Sequence, residues 1–226
     1  MKKLAILNGN HLKLIAAVAM LLDHAGILLF PRVRLFRILG RLAYPIFAFM
    51  IAEGCRYTRN KLRYFLMVFG LGAACQIVYY FFSGDTYLNI LLTFSLSILL
   101  IYALQASWQA EKRTLWSILF TAGFLGVYGL DRLITIDYGF WGVMVPVFVS
   151  FAHIRNFPHW ASVLLLGAGL MLLGADLGGI QHYALLSLPL LLLYSGKRGK
   201  WNMKYFFYIF YPVHLAVLQG IAMLLN

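Results

Sequence analysis

Long apolar blocks alternate along this chain with short polar punctuation. The blocks lie at roughly 12–30, 36–54, 62–82, 88–107, 114–130, 139–153, 158–174, 180–195 and 204–225. A bilayer core of about 30 Å takes about 20 apolar residues per helix, and shorter stretches are tolerated inside a bundle. The pattern therefore predicts an all-α, polytopic membrane bundle of about nine transmembrane helices. Breaks fall at turn or charge signals: Pro31 to Arg34, Arg56 to Lys61, Ser83-Gly84-Asp85, Glu111 to Arg113, Asp131 to Asp137, Arg155 to Pro158, Asp176 to Gly179 and Lys197 to Lys200. The sixth block is short and contains Pro146.

Composition supports that reading and removes its competitors. Of 226 residues, 62% are hydrophobic and 12% charged, against about 45 to 50% and about 25% in an ordinary soluble domain. A nucleic-acid partner is excluded on that ground despite a net charge of +12. Cys55 and Cys75 are the only cysteines, too few for a disulfide scaffold and without a context that activates a thiol. Lys2 and Lys3 precede an apolar run as in a signal peptide, but Ala17 and Ala19 lie inside that run beside Lys13, Asp23 and His24. The first span is therefore expected to be retained. With no repeat and no long linker, residues 1–226 are expected to form a single membrane domain.

Orientation follows from where the cations fall between spans. With the N-terminus cytoplasmic, the inner segments hold Lys2, Lys3, Lys13, Arg56, Arg59, Lys61, Arg63, Lys112, Arg113, Arg155, Lys197, Arg198, Lys200 and Lys204. The outer segments hold Asp85, Asp131, Arg132, Asp137, Asp176 and an arginine cluster, Arg32, Arg34, Arg37 and Arg41. Nine spans then place the C-terminus outside. Localisation in a bacterial cytoplasmic membrane is the corresponding expectation.

Three features exceed what topology needs. The first is Asp23-His24, about 16 Å along the helix from Lys13 and so near mid-membrane. Ionisable groups at that depth cost about 2.5 to 3.5 kcal/mol on insertion scales and mark functional sites by default. Adjacent helical residues point about 100 degrees apart, so each side chain is expected to find a partner on another helix. The second is the outward arginine cluster. Arg37 and Arg41 share a helix face, and Arg41 needs either Asp23 as a structural counter-charge or an anionic ligand. Pro45, four residues on, is positioned to kink that helix. The third is Glu53 followed by Arg56, Arg59, Lys61 and Arg63, a density of cations that suits lipid head groups or the phosphates of a cytosolic cofactor. His214, after Tyr211-Pro212 in the last span, adds a second mid-membrane histidine; two in one bundle favour a shared cavity. His11, His153, His159 and His182 lie at span ends, where solvated or interfacial roles are expected. No nucleophile elbow, Walker loop or dinucleotide fingerprint occurs, and Asp23, His24 and His214 lack any metal-ligand spacing, so no metal is expected.

The segments LKLIAAVAMLLDHAGILLFP and LFRILGRLAYPIFAFMIAEGCRYTRN, followed by YLNILLTF, DYGFWGV, LLLLYSGKRGK and YFFYIFYPVHLAVL, resemble the TraX family, membrane proteins associated with N-acetylation of conjugative pilin. The likeness extends over nearly the whole chain and is most specific in the first 60 residues. It implies a place in the wider superfamily of transmembrane acyltransferases, in which acetyl-CoA arrives from the cytoplasm and a membrane histidine carries the chemistry. On that resemblance Asp23, His24, Arg41 and His214 are the catalytic candidates, and Arg37, Glu53, Arg56, Arg59, Lys61 and Arg63 the cofactor-binding ones. A histidine near neutrality suits general-base work on an acceptor amine or transient acylation. His24 is the expected base or acyl carrier, tuned by Asp23 or Arg41. Arg37 and Arg41 also suit an oxyanion or an acceptor carboxylate.

The expected activity is acyl-CoA dependent N- or O-acyl transfer. The expected partners are acetyl-CoA, membrane lipid and an acceptor peptide, carbohydrate or other small molecule; a homo-oligomer is compatible with the sequence. Two other classes use the same residues differently. A transporter for an anionic solute would make the midplane charges a pathway, and a non-catalytic pilus or secretion assembly factor would need no midplane histidine.

Overall fold

The computed structural model describes residues 5–84, 86–109, 111–201, 203 and 206–225. Lys2, Lys3, Asp85 and Lys204, which figured in the orientation argument, lie outside the described residues. The chain folds as α1 Gly9–Leu28, α2 Arg34–Gly40, α3 Ala43–Tyr57, α4 Lys61–Ser83, α5 Ile90–Gln109, α6 Arg113–Leu133, α7 Gly139–Ile154 and α8 His159–Leu177, then a 3-10 helix Gly179–Ser187, α9 Leu188–Leu192 and α10 Phe206–Leu225. Among the described residues no extended strand forms, and Leu7–Tyr194 and Leu88–Ile136 pair as isolated bridges. This is an all-helical, multi-pass membrane protein. Among the described residues, six segments are long and apolar enough to cross a bilayer: Gly9–Leu28, Arg34–Tyr57, Lys61–Phe81, Ile90–Gln109, Arg113–Leu133 and His159–Leu177. The apolar helices at Gly139–Ile154, Gly179–Leu192 and Ile209–Leu225 are shorter.

Two expected spans differ in their interior. The second, read as one helix over 36–54, breaks between α2 and α3 at Arg41-Leu42. Pro45 has no N–H to bond the carbonyl four residues back, which is that of Arg41, and its ring crowds the same oxygen. Pro45 instead occupies the first turn of α3, where a donor would be unpaired in any case. The eighth, read as a helix over 180–195, is a nine-residue 3-10 helix ending in one short α turn. At about 2.0 Å per 3-10 residue and about 1.5 Å per α residue, Gly179–Leu192 extends about 25 Å, farther than an α-helix of equal length.

The chain forms two compact units, residues 1–47 with 177–226, and residues 48–176. In the first, α1 packs against α2 and α10, and the 3-10 helix against α2. Leu12, Ala16, Ile46 and Leu191 are fully buried in it. Glycines bring α1 and α2 close: a Cβ at Gly26 would lie 3.0 Å from Phe36 Cβ, the small-residue device by which membrane helices pack.

In the second unit α5 packs against α4, α6 and α7. Ser97 ties α5 to α7 by donating from Oγ to the Val143 carbonyl at 2.8 Å, the kind of interhelical bond that serine and threonine make in membrane bundles. One end of this unit is basic. There Lys61 sits 5.1 Å from the Tyr102 ring centre and the Arg155 guanidinium 4.7 Å from that of Trp108. The other end gathers carboxylates: Asp137 accepts from the Tyr87 hydroxyl, and Asp131 and Asp176 flank Gly139. Within this unit the described cations and carboxylates thus concentrate at different ends, with Glu53 beside Arg56 and Arg132 next to Asp131 as exceptions.

Candidate functional site

The first unit gathers Asp23, His24, Arg37, Arg41 and His214. Asp23 and Arg41, 8% and 9% exposed, face each other because α2 runs back along α1 and Gly40 has no side chain. A Cβ there would overlap the Asp23 carboxylate and lie 2.7 Å from its Cα. Arg41 donates from Nη2 to Asp23 Oδ1 at 2.6 Å and Oδ2 at 2.5 Å, and from Nη1 to Gln181 Oε1 at 3.0 Å. Arg37 donates from Nη1 to Asp23 Oδ2 at 3.1 Å. The carboxylate thus receives three charge-assisted bonds, whose attraction offsets part of the cost of burying the pair. The break after α2 turns the Arg41 side chain toward both Asp23 and the 3-10 helix. Gln181, which the sequence reading passed over, is 4% exposed; an amide inside the apolar block at 180–195 was its signal.

His24 pairs elsewhere. Its Nδ1 lies 2.9 Å from Nε2 of His214, with ring centres 5.0 Å apart. His214 Nδ1 lies 2.7 Å from the carbonyl oxygen of Phe210, one turn back on α10, and the His214 and Phe210 rings stack at 4.7 Å. A carbonyl only accepts, so His214 Nδ1 carries a proton. With both rings neutral, His214 Nε2 is then a lone pair that accepts from His24 Nδ1–H, and the lone pair of His24 falls on Nε2. A single proton arrangement is thus specified by one backbone oxygen. The described bonds of Asp23 all run to the two arginines, which leaves the orientation of His24 to His214.

The second unit holds the other candidates. Glu53, 6% exposed, lies 3.3 Å from His153 Nε2 and 3.9 Å from Arg56 Nη1. The expectation of a solvated His153 is corrected: it is buried, because the last turn of α7 meets Glu53 near the C-terminal end of α3 and Phe49 meets its ring edge to face at 6.2 Å. Gly54 admits Tyr64, whose ring a Cβ would overlap. Arg56, Arg59, Lys61 and Arg63 lie exposed around the turn between α3 and α4, where Asn60 caps α4 by accepting from the Arg63 N–H at 2.9 Å. Among the described residues no group of three or more His, Cys, Asp or Glu side chains is arranged to hold a metal ion.

A family model described as TraX protein matches residues 8–222. A protein named probable fimbrial assembly protein FimC, serogroup H1, from Dichelobacter nodosus is 28% identical over 95% of this chain and 96% of its own length. An uncharacterised protein of Rickettsia prowazekii (strain Madrid E) is 37% identical over 60 residues, 26% of this chain and 23% of its own. No solved structure matches the chain significantly.

Proposed function

The chain belongs to the TraX family, and on that premise we propose that it is an acyltransferase of a bacterial cytoplasmic membrane, moving an acetyl group from cytosolic acetyl-CoA to an amine or hydroxyl at the outer side. The observation that carries the reading is the His24–His214–Phe210 chain, which leaves His24 Nε2 unprotonated. That nitrogen takes the proton of the acceptor amine as it attacks the thioester carbonyl. The C–N bond forms, the C–S bond breaks, and the imidazolium returns its proton to the departing CoA thiolate. His214 positions His24, while Arg41, whose two terminal nitrogens are engaged, and Asp23 hold α1 and α2 together. Arg37, with a side chain 28% exposed, is the arginine of this group most open to an acceptor carboxylate or an oxyanion.

In the same proposal Arg56, Arg59, Lys61 and Arg63 meet CoA phosphates, and Glu53 holds Arg56 in place. The N-terminus is cytoplasmic and nine crossings place the C-terminus outside. The relative named for fimbrial assembly makes the N-terminus of a pilin-like peptide the first acceptor to test. The test incubates the purified protein in lipid nanodiscs with acetyl-CoA and such a peptide, with acetylation read by mass spectrometry. Wild type transfers, and His24→Ala abolishes transfer while CoA binding survives; unchanged transfer in that variant overturns the role. The same relative's name also favours a non-catalytic pilus assembly factor. That reading requires pilus assembly to persist when Asp23, His24 and His214 are all neutralised.

A further inference from the structure

Gln181 stands in the first turn of the 3-10 helix Gly179–Ser187, with its side chain buried. The turn that sets it there begins with Gly178 and Gly179, both at positive φ, +66 and +56, a conformation glycine adopts without strain. The Gln181 N–H closes that turn on the Gly178 carbonyl at 3.2 Å. At three residues per turn, side chains three apart eclipse, so Gln181, Ala184 and Ser187 form the buried face of this helix. Ser187 satisfies its own hydroxyl by donating to the Ala184 carbonyl at 2.7 Å.

The Gln181 carboxamide is satisfied at one end only. Its Oε1 accepts from Arg41 Nη1 at 3.0 Å, and because a guanidinium offers hydrogens and no lone pair, that bond fixes which end of the amide faces the arginine. Nε2 carries two hydrogens, is sealed from solvent and has no acceptor among the described residues. A buried donor without an acceptor bears the full cost of its desolvation. Support of Arg41 does not require that cost. Two guanidiniums share the one carboxylate of Asp23, the only acidic side chain in residues 1–47 and 177–226, so a glutamate at 181 would accept the same bond and balance the charge. An amide adds a neutral donor pair where structure alone asks for an acceptor. Through Arg41 it is joined to Asp23, the chain neighbour of His24, the proposed base.

We propose that Gln181 is a catalytic residue of the acyl transfer, a reading on which this inference rests, and that its Nε2 donates to the carbonyl oxygen of the acyl thioester. When the acceptor nitrogen bonds the carbonyl carbon, the π pair moves onto that oxygen and the amine proton passes to His24 Nε2. The C=O bond then re-forms, the C–S bond breaks, and the thiolate takes the proton back from the imidazolium. Negative charge is greatest on the oxygen between those two events, so a donor fixed there in a site without water stabilises the transition state more than the bound thioester. Arg37 is left to a carboxylate of the acceptor.

The test compares the full chain with Gln181→Glu, and with His182→Gln at the exposed neighbouring position as a control, in lipid nanodiscs with acetyl-CoA and a pilin-like peptide. Gln181→Glu keeps the shape of the side chain and the acceptor for Arg41 and removes only the donor. Its kcat falls about 10²- to 10³-fold, while KM for acetyl-CoA and the thermal transition stay at their wild-type values and His182→Gln matches wild type. A residue that served Arg41 alone would leave kcat unmoved. Infrared spectroscopy reads the bond itself: in a His24→Ala background, where the bound thioester is not consumed, the carbonyl stretch of isotope-labelled acetyl-CoA rises in frequency when Gln181→Glu is added. That measurement holds even where the substitution lowers the thermal transition. Wild-type kcat and an unshifted stretch in Gln181→Glu overturn the role and leave the acyl-transfer reading intact. Wild type that neither binds acetyl-CoA nor transfers its acyl group is a different result, which overturns that reading and this role with it.

Discussion

His24 Nδ1 and His214 Nε2 meet at 2.9 Å across α1 and α10, and the Phe210 carbonyl behind His214 sets the proton arrangement of both rings. The partnership predicts unequal roles. His214→Phe keeps an aromatic ring against Phe210 but removes the acceptor for His24 Nδ1–H, so kcat falls about 10²- to 10⁴-fold with CoA affinity unchanged. The wild-type rate rises from acidic to neutral pH, because protonation of His24 Nε2 removes its lone pair. Single-turnover acetylation across pH in wild type and His214→Phe checks both outcomes.

Asp23 and Arg41 are each nine-tenths buried and joined by two bonds. Asp23→Ala leaves a guanidinium buried without its carboxylate and destabilises the protein by about 3 to 5 kcal/mol. The double substitution Asp23→Leu, Arg41→Met removes both charges and is far less damaging. Thermal unfolding of the three proteins in one detergent distinguishes the cases; equal losses for single and double variants count against the pair.

Two helical glycines predict opposite outcomes. Gly40→Ala drives a methyl into Asp23 and costs about 1 to 3 kcal/mol. Gly126 in α6 has open space around its missing Cβ, so Gly126→Ala is neutral or stabilises by up to about 1 kcal/mol. The same unfolding assay ranks them.

The basic and acidic ends of the second unit predict opposite accessibility. In a background with Cys55 and Cys75 replaced by Ala, Asp176→Cys reacts with an impermeant maleimide added to intact cells. Lys112→Cys reacts only after the membrane is opened. Both positions are exposed, so labelling of both from one side would overturn the proposed orientation.

Much of this protein is written in one dimension. Apolar block length fixes where helices form, because backbone polar groups cannot be left unpaired in lipid and only segments of that length cross it. Cation placement separates the two ends of the second unit, and charge at mid-block picks out Asp23, His24, Arg41 and His214, because such residues are costly in lipid wherever they occur. Partnerships are not written there. That Asp23 binds Arg41 and Arg37 instead of His24, that His24 meets a ring 190 residues away, and that Gln181 accepts from Arg41 Nη1 all depend on which faces of separate helices come together. The burial of His153 against Glu53 went unread for the same reason, since a span-end position in the sequence does not say which neighbouring helix will cover it. The 3-10 turn at Gly179–Ser187 likewise answers to distances between elements. Lipid chemistry acts on each segment alone and is legible residue by residue; hydrogen bonding between segments is decided only when the chain has folded.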